Sequence, residues 1–166
     1  MFSTSVWRFG ASLTTYAPPM RVAIVGSGPS GFYAASRILH SFDAQCGTGE
    51  NGVDIHMYER LPTPFGLVRY GVAPDHPEVR NVENKFDEVA RDPRFTFLGN
   101  VQVTGGADVL SSAAVPVPLS CMAPYYTHIL FAYGASDARH LHLPGTGPDG
   151  LEHIHTAFDF VQWYNG

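Results

Sequence analysis

The sequence predicts an α/β fold in which a parallel β-sheet is flanked by helices. Short apolar, β-branched runs of strand length alternate with segments whose apolar residues recur at helical spacing. Turns rich in glycine and proline separate these segments, and the chain holds 17 glycines and 13 prolines. A length of 166 residues allows one domain of ordinary size.

Composition limits the classes of function that the chain can have. Apolar residues make up 45%, which is enough for a packed core. A formal net charge of -5 argues against nucleic-acid binding, which normally needs a basic surface. No apolar run approaches the ~20 residues of a membrane-spanning helix. Cys46 and Cys121 alone cannot build a disulfide framework or a zinc site. The composition predicts a soluble, intracellular globular protein.

The first twenty residues differ from the rest of the chain. They carry Arg8, several serines and threonines and scattered aromatic residues, and the first acidic residue is Asp43. This is the composition of a mitochondrial transit peptide, and it lacks the unbroken apolar run of a secretory signal. The alternative is a disordered tail before a domain that begins near Met20. We expect a transit peptide over residues 1–20, a domain over residues 21–166, and a mitochondrial location in the matrix or at the inner membrane.

The chain after this boundary begins with a recognisable β-α-β pattern. Residues 21–25 (RVAIV) read as a buried parallel strand and are followed by a glycine-rich turn, GSGPSG. Residues 32–42 have helical spacing, and residues 53–58 (VDIHMY) read as a second strand that ends on Glu59. A strand, glycine turn, helix, strand and acid in this order are typical of a Rossmann-like dinucleotide-binding fold.

Each glycine of the turn has a predicted role. Gly26 permits the tight turn, Gly28 lets the backbone approach a pyrophosphate, and Gly31 lets the helix pack closely on the strand. Glu59 would accept hydrogen bonds from ribose hydroxyls, which favours FAD or NAD over a 2′-phosphorylated nucleotide. It follows Gly31 by 28 residues rather than ~20, and the loop before the second strand can absorb the excess. The alternative is a glycine turn that binds no nucleotide.

The segment after Glu59 is predicted to be a loop with unusual apolar content. Residues 60–77 (RLPTPFGLVRYGVAPDHP) are dense in proline and glycine, yet this loop contains the large apolar or aromatic residues Phe65, Leu67, Val68, Tyr70 and Val72. These side chains pack either against a flat ligand such as a flavin ring or against the domain's own core. Pro77 then begins a helix with the apolar stripe Val79, Val82, Phe86, Val89 and Ala90. Residues 95–103 (FTFLGNVQV) read as one further strand.

The residues from 21 to 166 resemble the mitochondrial NADPH:adrenodoxin/ferredoxin oxidoreductases. The resemblance rests on GSGPSGFYAA, YERLPTPFGLVRYGVAPDHPEVRNVENKF, FLGNVQV, FAYGA, LPG and FVQWYNG, of which PFGLVRYGVAPDHPEV is the most specific. It implies the N-terminal part of a two-dinucleotide flavoprotein. Such an enzyme passes electrons from NADPH through FAD to a [2Fe–2S] ferredoxin or adrenodoxin.

The resemblance also implies roles for individual residues. Ser30 and Glu59 would contact the adenosine end of FAD, and Leu67 and Val103 would line the flavin pocket. His76 matches a family histidine near the flavin and would have a supporting polar or proton-handling role; the alternative is a loop histidine beside a helix start. The predicted cofactor-binding set is Gly26, Gly28, Pro29, Ser30, Gly31, Glu59, Leu67 and Val103.

The end of the chain departs from the family pattern. Residues 105–126 form a segment rich in Val, Ala, Ser and Pro that is either a loop or a locally altered reading of the gene, and Thr146 replaces a family glutamate. Residues 127–135 read as a strand, and residues 158–164 suit a closing helical turn. No second glycine-rich turn follows, so we expect the NADPH domain and the C-terminal FAD segment to be absent. The alternatives to a working reductase are a non-catalytic FAD- or adenosine-binding module and a chain that does not fold alone.

Two other constellations carry little functional signal. A metal site could be built from four histidines, His140, His142, His153 and His155. No cysteine or carboxylate joins them at a spacing that is familiar for metal ligands, so we interpret them as exposed loop histidines. The cysteines lack the short spacing of a redox pair, which disfavours a disulfide reductase.

Overall fold

The fold is taken from a computed structural model, which describes residues 19–46, 52–73, 75–105, 113–135, 143–146 and 150–165. The strands and helices alternate along most of the chain. The strands are β1 (Met20–Val25), β2 (Val53–Tyr58), β3 (Phe95–Leu98), β4 (Val101–Thr104), β5 (Val115–Pro118) and β6 (His128–Phe131). The helices are α1 (Pro29–Cys46), α2 (Leu67–Tyr70), α3 (Pro77–Arg80), α4 (Val82–Ala90), α5 (Leu119–Met122) and α6 (Ala157–Asn165).

A four-stranded parallel sheet organises the domain, in the order β3-β2-β1-β6. Strand β1 lies at its centre with Met20 opposite Val53 in β2, while Val22 lies opposite His128 in β6. The chain therefore moves from β1 to one side of the sheet and returns later to the other side. The predicted α/β class with a parallel sheet is confirmed.

The core lies between one face of this sheet and helices α1 and α4. Phe32 of α1 stacks on Phe86 of α4, with ring centroids 4.9 Å apart and planes inclined by 19°. The ring of Phe65, from the loop after β2, meets Phe32 edge-on at 5.2 Å. All three side chains are buried, so the loop contributes directly to the core.

Residues 95–103 were expected to form one strand, and that expectation is wrong. Strand β3 ends at Leu98, and β4 begins at Val101 and pairs with β5 in a separate two-stranded sheet. The break falls at Gly99 and Asn100, where Asn100 has a φ of 60° and its amide donates to Leu61 O at 3.0 Å. Asparagine tolerates this left-handed conformation better than most residues, which allows the chain to turn there.

Two segments expected to be loops contain regular structure. Helix α2 lies within residues 60–77, and β5, α5 and a 3-10 turn (Ala123–Tyr125) lie within residues 105–126. The helix expected from Pro77 is divided at Asn81 into α3 and α4. Its predicted stripe is also partly wrong, since Phe86 and Val89 are buried whereas Val79 and Ala90 are exposed.

A charged cluster ties the end of α1 to the turn before β3. The Arg94 guanidinium binds Asp43 at 2.7 Å and Asp92 at 2.8 Å. The hydrogen bond from Arg94 holds the pKa of Asp92 below its usual value, and the same two carboxylates raise the pKa of Arg94. The cluster fixes the edge of the sheet remote from β6.

Candidate cofactor-binding site

The glycine turn and Glu59 meet at the carboxyl ends of the two central strands. Gly26 follows β1 and Glu59 follows β2, and the Gly26 amide donates to Tyr58 O at 2.8 Å. Because β2 and β6 lie on opposite sides of β1, the order of the strands reverses at this point. In open parallel sheets, ligands bind outside the carboxyl ends of the strands at such a reversal.

Gly26 and Gly31 are required by close approach of the backbone. Gly26 has a φ of +108°, and a Cβ there would lie 2.5 Å from Ala132 O in the segment after β6. A Cβ on Gly31 would overlap the carbonyl oxygen of Gly26. Both positions therefore serve the packing of strand, turn and helix, whether or not a ligand binds.

Gly28 differs from these two glycines because the protein does not fill the space beside it. A Cβ on Gly28 would meet no atom within 4 Å. The amides of Gly28, Ser30 and Gly31 donate no hydrogen bond to any described part of the chain. These amides lie at the N-terminus of the 18-residue helix α1, where its dipole favours an anion. An open glycine position and free amides fit the pyrophosphate of a dinucleotide.

The Glu59 carboxylate is held in place by hydrogen bonds from both sides. Its Oε2 accepts from Ser27 N at 2.9 Å and from Ser27 Oγ at 2.7 Å, while Oε1 accepts from Leu61 N at 3.0 Å. An ionised carboxylate has about four acceptor positions, so at least one remains, on Oε1. The arrangement can accept a hydrogen bond from a ribose hydroxyl with little loss of side-chain freedom.

The loop after β2 folds back over the glycine turn. The Phe65 amide donates to Ser27 O at 3.0 Å, and a Cβ on Gly66 would lie 3.2 Å from Gly28 Cα. Phe65 has a φ of 89°, a costly conformation for a non-glycine residue. Burial of its ring among Phe32 and Phe86 offsets this cost.

The apolar side chains of this loop divide between two environments. Phe65 and Val68 are buried in the domain's own core, as one of the two sequence interpretations held. Leu67 remains 61% exposed directly after Gly66, beside the turn. Val103 is half-buried in β4. This strand begins beside Glu59, since the amide of its first residue, Val101, donates to Glu59 O at 2.8 Å. Contact of Leu67 and Val103 with a flavin stays a prediction.

His76 lies outside the network around the glycine turn. It is the N-cap residue of α3, its side chain is exposed, and its Nδ1 lies 3.1 Å from Glu78 Oε1. Among the described residues, none of its hydrogen bonds reaches the turn. Its supporting role near a flavin therefore remains a prediction from the resemblance.

On the opposite face of the sheet, the polar side chains of β2 form a cluster with Tyr126. Tyr126 Oη lies 2.6 Å from both His56 Nδ1 and Tyr58 Oη, and His56 Nε2 lies 3.4 Å from Asp54. Burial, with the hydrogen bond to Tyr58 as the second cause, raises the pKa of Tyr126. The cluster satisfies polar groups on strand β2 immediately before Glu59.

The weaker constellations gain no support from the geometry. His153 and His155 are exposed, while His140 and His142 lie outside the described residues. Within the described ranges, no three His, Cys, Asp or Glu side chains converge as metal ligands. Cys121 is an exposed free thiol, and the side chain of Cys46 lies outside the description. None of the described helices combines the length and apolar character needed to cross a bilayer.

Sequence reasoning missed two contributors to the site. The glycine-turn pattern assigns no role to Ser27, whose fully buried hydroxyl holds Glu59. It likewise assigns none to Gly66, where a Cβ would lie 3.2 Å from Gly28 Cα. The sequence did offer one signal for Ser27: a residue with a short hydroxyl side chain stands between Gly26 and Gly28 and could donate a hydrogen bond to a nearby carboxylate.

Several known reductases are similar to this chain over most of its length. The chain is 42% identical over 157 residues to mitochondrial NADPH:adrenodoxin oxidoreductase of Salvelinus fontinalis, covering 95% of this chain and 27% of that protein. The chain belongs to the NADPH:adrenodoxin/ferredoxin reductase family. NADPH-ferredoxin reductase FprA of Mycobacterium leprae is 44% identical over 144 residues, covering 87% of this chain and 28% of that reductase. No protein-family model matches the chain.

A solved structure of the same reductase family shares the fold. FprA of Mycobacterium tuberculosis in complex with NADPH aligns with a TM-score of 0.72 and 41% identity. The alignment covers 89% of this chain and 29% of that one. The chain thus spans little more than a quarter of the length of the reductases it matches.

Proposed function

We propose that the chain binds FAD at the glycine turn and supplies the FAD-binding part of an oxidoreductase. The reaction would pass electrons from NADPH through FAD to a ferredoxin- or adrenodoxin-type [2Fe–2S] protein. The observation that carries the proposal is the pairing of Glu59 with an open Gly28 at the ends of β1 and β2. The names of the relatives, NADPH:adrenodoxin oxidoreductase and NADPH-ferredoxin reductase, supply the electron donor and acceptor.

The chain's own residues would bind and orient the adenosine and pyrophosphate portions of FAD. The free amides at the start of α1, beside Pro29 and Ser30, would donate to the pyrophosphate, and Gly28 would leave room for it. Glu59 would accept from a ribose hydroxyl. When bound, FAD supplies the chemistry that couples a two-electron donor to a one-electron carrier.

Three further residues have proposed roles nearer the reactive ring. Leu67 and Val103 would give apolar contacts that exclude water, which is consistent with the exposed position of Leu67 beside the turn. His76 would have a supporting polar or proton-handling role near the flavin. Its side chain is exposed, and its Nδ1 lies 3.1 Å from Glu78 Oε1.

A second candidate function is a binding module without turnover. It is supported by the same residues, because Glu59 and the open space at Gly28 can bind a dinucleotide without any transfer of electrons. A module of this kind would retain FAD or its adenosine half through the same residues. It would transfer no electrons from NADPH by itself.

A coupled assay distinguishes the two candidates. The purified 166-residue chain, loaded with FAD, is mixed with NADPH, a [2Fe–2S] ferredoxin and cytochrome c, whose reduction is followed at its visible band. Steady reduction that requires the ferredoxin supports the reductase in this chain. Retained flavin without reduction supports the binding module, and neither retained flavin nor reduction contradicts both.

We also propose a mitochondrial location. Several relatives are named mitochondrial, whereas the FprA relatives are bacterial, so the proposal depends on the basic, acid-free residues 1–20. A fluorescent protein carrying residues 1–20 should accumulate in mitochondria. A diffuse cytosolic signal would reject this location signal.

A further inference from the structure

Two polar side chains from distant parts of the sequence meet at the end of α2. Arg80 Nη2 donates to Val72 O at 2.7 Å and to Asn165 Oδ1 at 3.0 Å. Asn165 Nδ2 in turn donates to Tyr70 O at 3.0 Å. One guanidinium and one amide therefore connect α3, α6 and the residues that end α2.

These contacts act on an element that cannot be stable by itself. Helix α2 has four residues, and isolated helices this short do not form in water. The last carbonyl groups of any helix lack intrahelical donors. Asn165 supplies a hydrogen-bond donor to the carbonyl of Tyr70, and Arg80 supplies one to the carbonyl of Val72 just beyond the helix.

Among the described residues, no carboxylate competes with these contacts for the Arg80 guanidinium. Within the described part of the chain, no carboxylate lies within ion-pair distance of its guanidinium. Its Nη2 also lies 3.4 Å from Arg69 O, and its Nε is buried. The side chain therefore binds backbone carbonyls and Asn165 rather than a charged neighbour.

We infer that Arg80 and Asn165 are positioning residues that fix α2 against the glycine turn. Leu67 begins α2 directly after Gly66. A Cβ added at Gly66 would lie 3.2 Å from Gly28 Cα, so the start of α2 lies close to the glycine turn. Anchoring the end of α2 therefore fixes Leu67 beside the open space at Gly28. The link to FAD rests on the proposed function, whereas the anchoring of α2 is a property of the chain itself.

Amide hydrogen exchange of the full chain without flavin tests the anchoring. The Tyr70 and Gly71 amides donate to Gly66 O and Leu67 O, so their exchange reports whether α2 is formed. Asn165→Ala should raise their exchange about tenfold, because it removes both the donor to Tyr70 O and the acceptor for Arg80. Asn165→Asp keeps an acceptor for Arg80 but loses the donor to Tyr70, and should give a smaller rise. Gln162→Ala, at an exposed position of the same helix, should change nothing.

The outcomes separate anchoring from a general loss of stability. Faster exchange at Tyr70 and Gly71 with unchanged exchange in β1 supports the inference. Unchanged exchange at Tyr70 and Gly71 in both Asn165 variants overturns it. If Asn165→Ala unfolds the whole chain, Asn165→Asp decides by the same criterion.

A flavin titration then tests the link to the cofactor. The Asn165→Ala chain should bind FAD about tenfold more weakly than the wild type, with a shifted flavin absorption band. If Asn165→Ala loosens α2 but leaves the dissociation constant for FAD and the flavin absorption band unchanged, the link between α2 and the cofactor is overturned. A wild-type chain that binds no FAD contradicts the proposed function, and hydrogen exchange alone then decides the anchoring.

Discussion

The Ser27 hydroxyl donates to Glu59 Oε2 at 2.7 Å, and the Ser27 amide donates to the same oxygen at 2.9 Å. Ser27 is fully buried, whereas Glu59 is half-buried. The candidate ribose acceptor is therefore positioned by the glycine turn itself, and the two halves of the candidate site are one hydrogen-bonded unit.

Removing the Ser27 hydroxyl should weaken cofactor binding without unfolding the chain. Ser27→Ala keeps the hydrogen bond from the backbone amide to Glu59 but removes the one from the hydroxyl, so the carboxylate gains freedom to move. We expect this loss to weaken FAD binding by about 1 kcal/mol. Fluorescence quenching of FAD on titration measures the dissociation constant. Ser41→Ala, on the same helix that follows the turn, is the matched control and should bind as the wild type does. Equal affinities for both variants would refute the role given to Ser27.

Removing the Glu59 carboxylate should have the larger effect. Glu59→Ala should weaken FAD binding by about 1–3 kcal/mol, the scale of lost charge-assisted hydrogen bonds. Because Ser27 acts through Glu59, the double variant should bind no more weakly than Glu59→Ala alone. The same titration measures all three variants, and additive losses would show that the two residues act separately.

The glycines of the turn should respond in opposite ways to a side chain. Gly28→Val adds a Cβ at a point where no protein atom lies within 4 Å, so the free energy of unfolding should change by about 0.5 kcal/mol or less. Its flavin binding should nevertheless be abolished. Gly26→Ala should lower stability by about 2 kcal/mol or more, because of the positive φ and the contact with Ala132 O. Denaturant unfolding and flavin retention measure the two effects, and a Gly28→Val protein that keeps FAD would contradict the pyrophosphate assignment.

The cluster around Arg94 predicts a pH-dependent contribution to stability. Arg94→Met should lower the free energy of unfolding by about 1–3 kcal/mol near pH 7, because it removes hydrogen bonds to two carboxylates. The lowered pKa of Asp92 means that this stabilisation is present above the ordinary value of 3.8 and is lost as the pH falls through the lowered value. The difference between variant and wild type should therefore shrink in acid. Arg91→Met, at an exposed neighbouring position, is the control, and a difference that grows in acid would contradict this account.

The sequence predicted those parts of the molecule whose structure is determined locally. The alternation from β1 through α1 to β2 follows from apolar periodicity and the glycine turn, and both elements and order agree with the structure. The bend at Asn100 was missed because a short apolar run has the same pattern whether one strand or two form. The positive φ of Phe65 depends on where its ring packs in the core.

Contacts between distant segments were beyond sequence reasoning for a different reason. Arg80 and Asn165 are 85 residues apart, and neither belongs to a motif with a known partner. Ser27 and Glu59 are 32 residues apart, and the motif named only Glu59 as a ligand. The positions of such pairs are set by the strand order and by the loop that folds over the turn.

The most direct test of the account is the visible spectrum of the purified 166-residue chain after incubation with FAD and removal of the excess. We expect a retained flavin band that is absent from a parallel preparation of Gly28→Val. A colourless wild-type chain that is folded by circular dichroism would contradict the central claim, because the glycine turn, Glu59 and the loop over them would then not suffice to bind FAD.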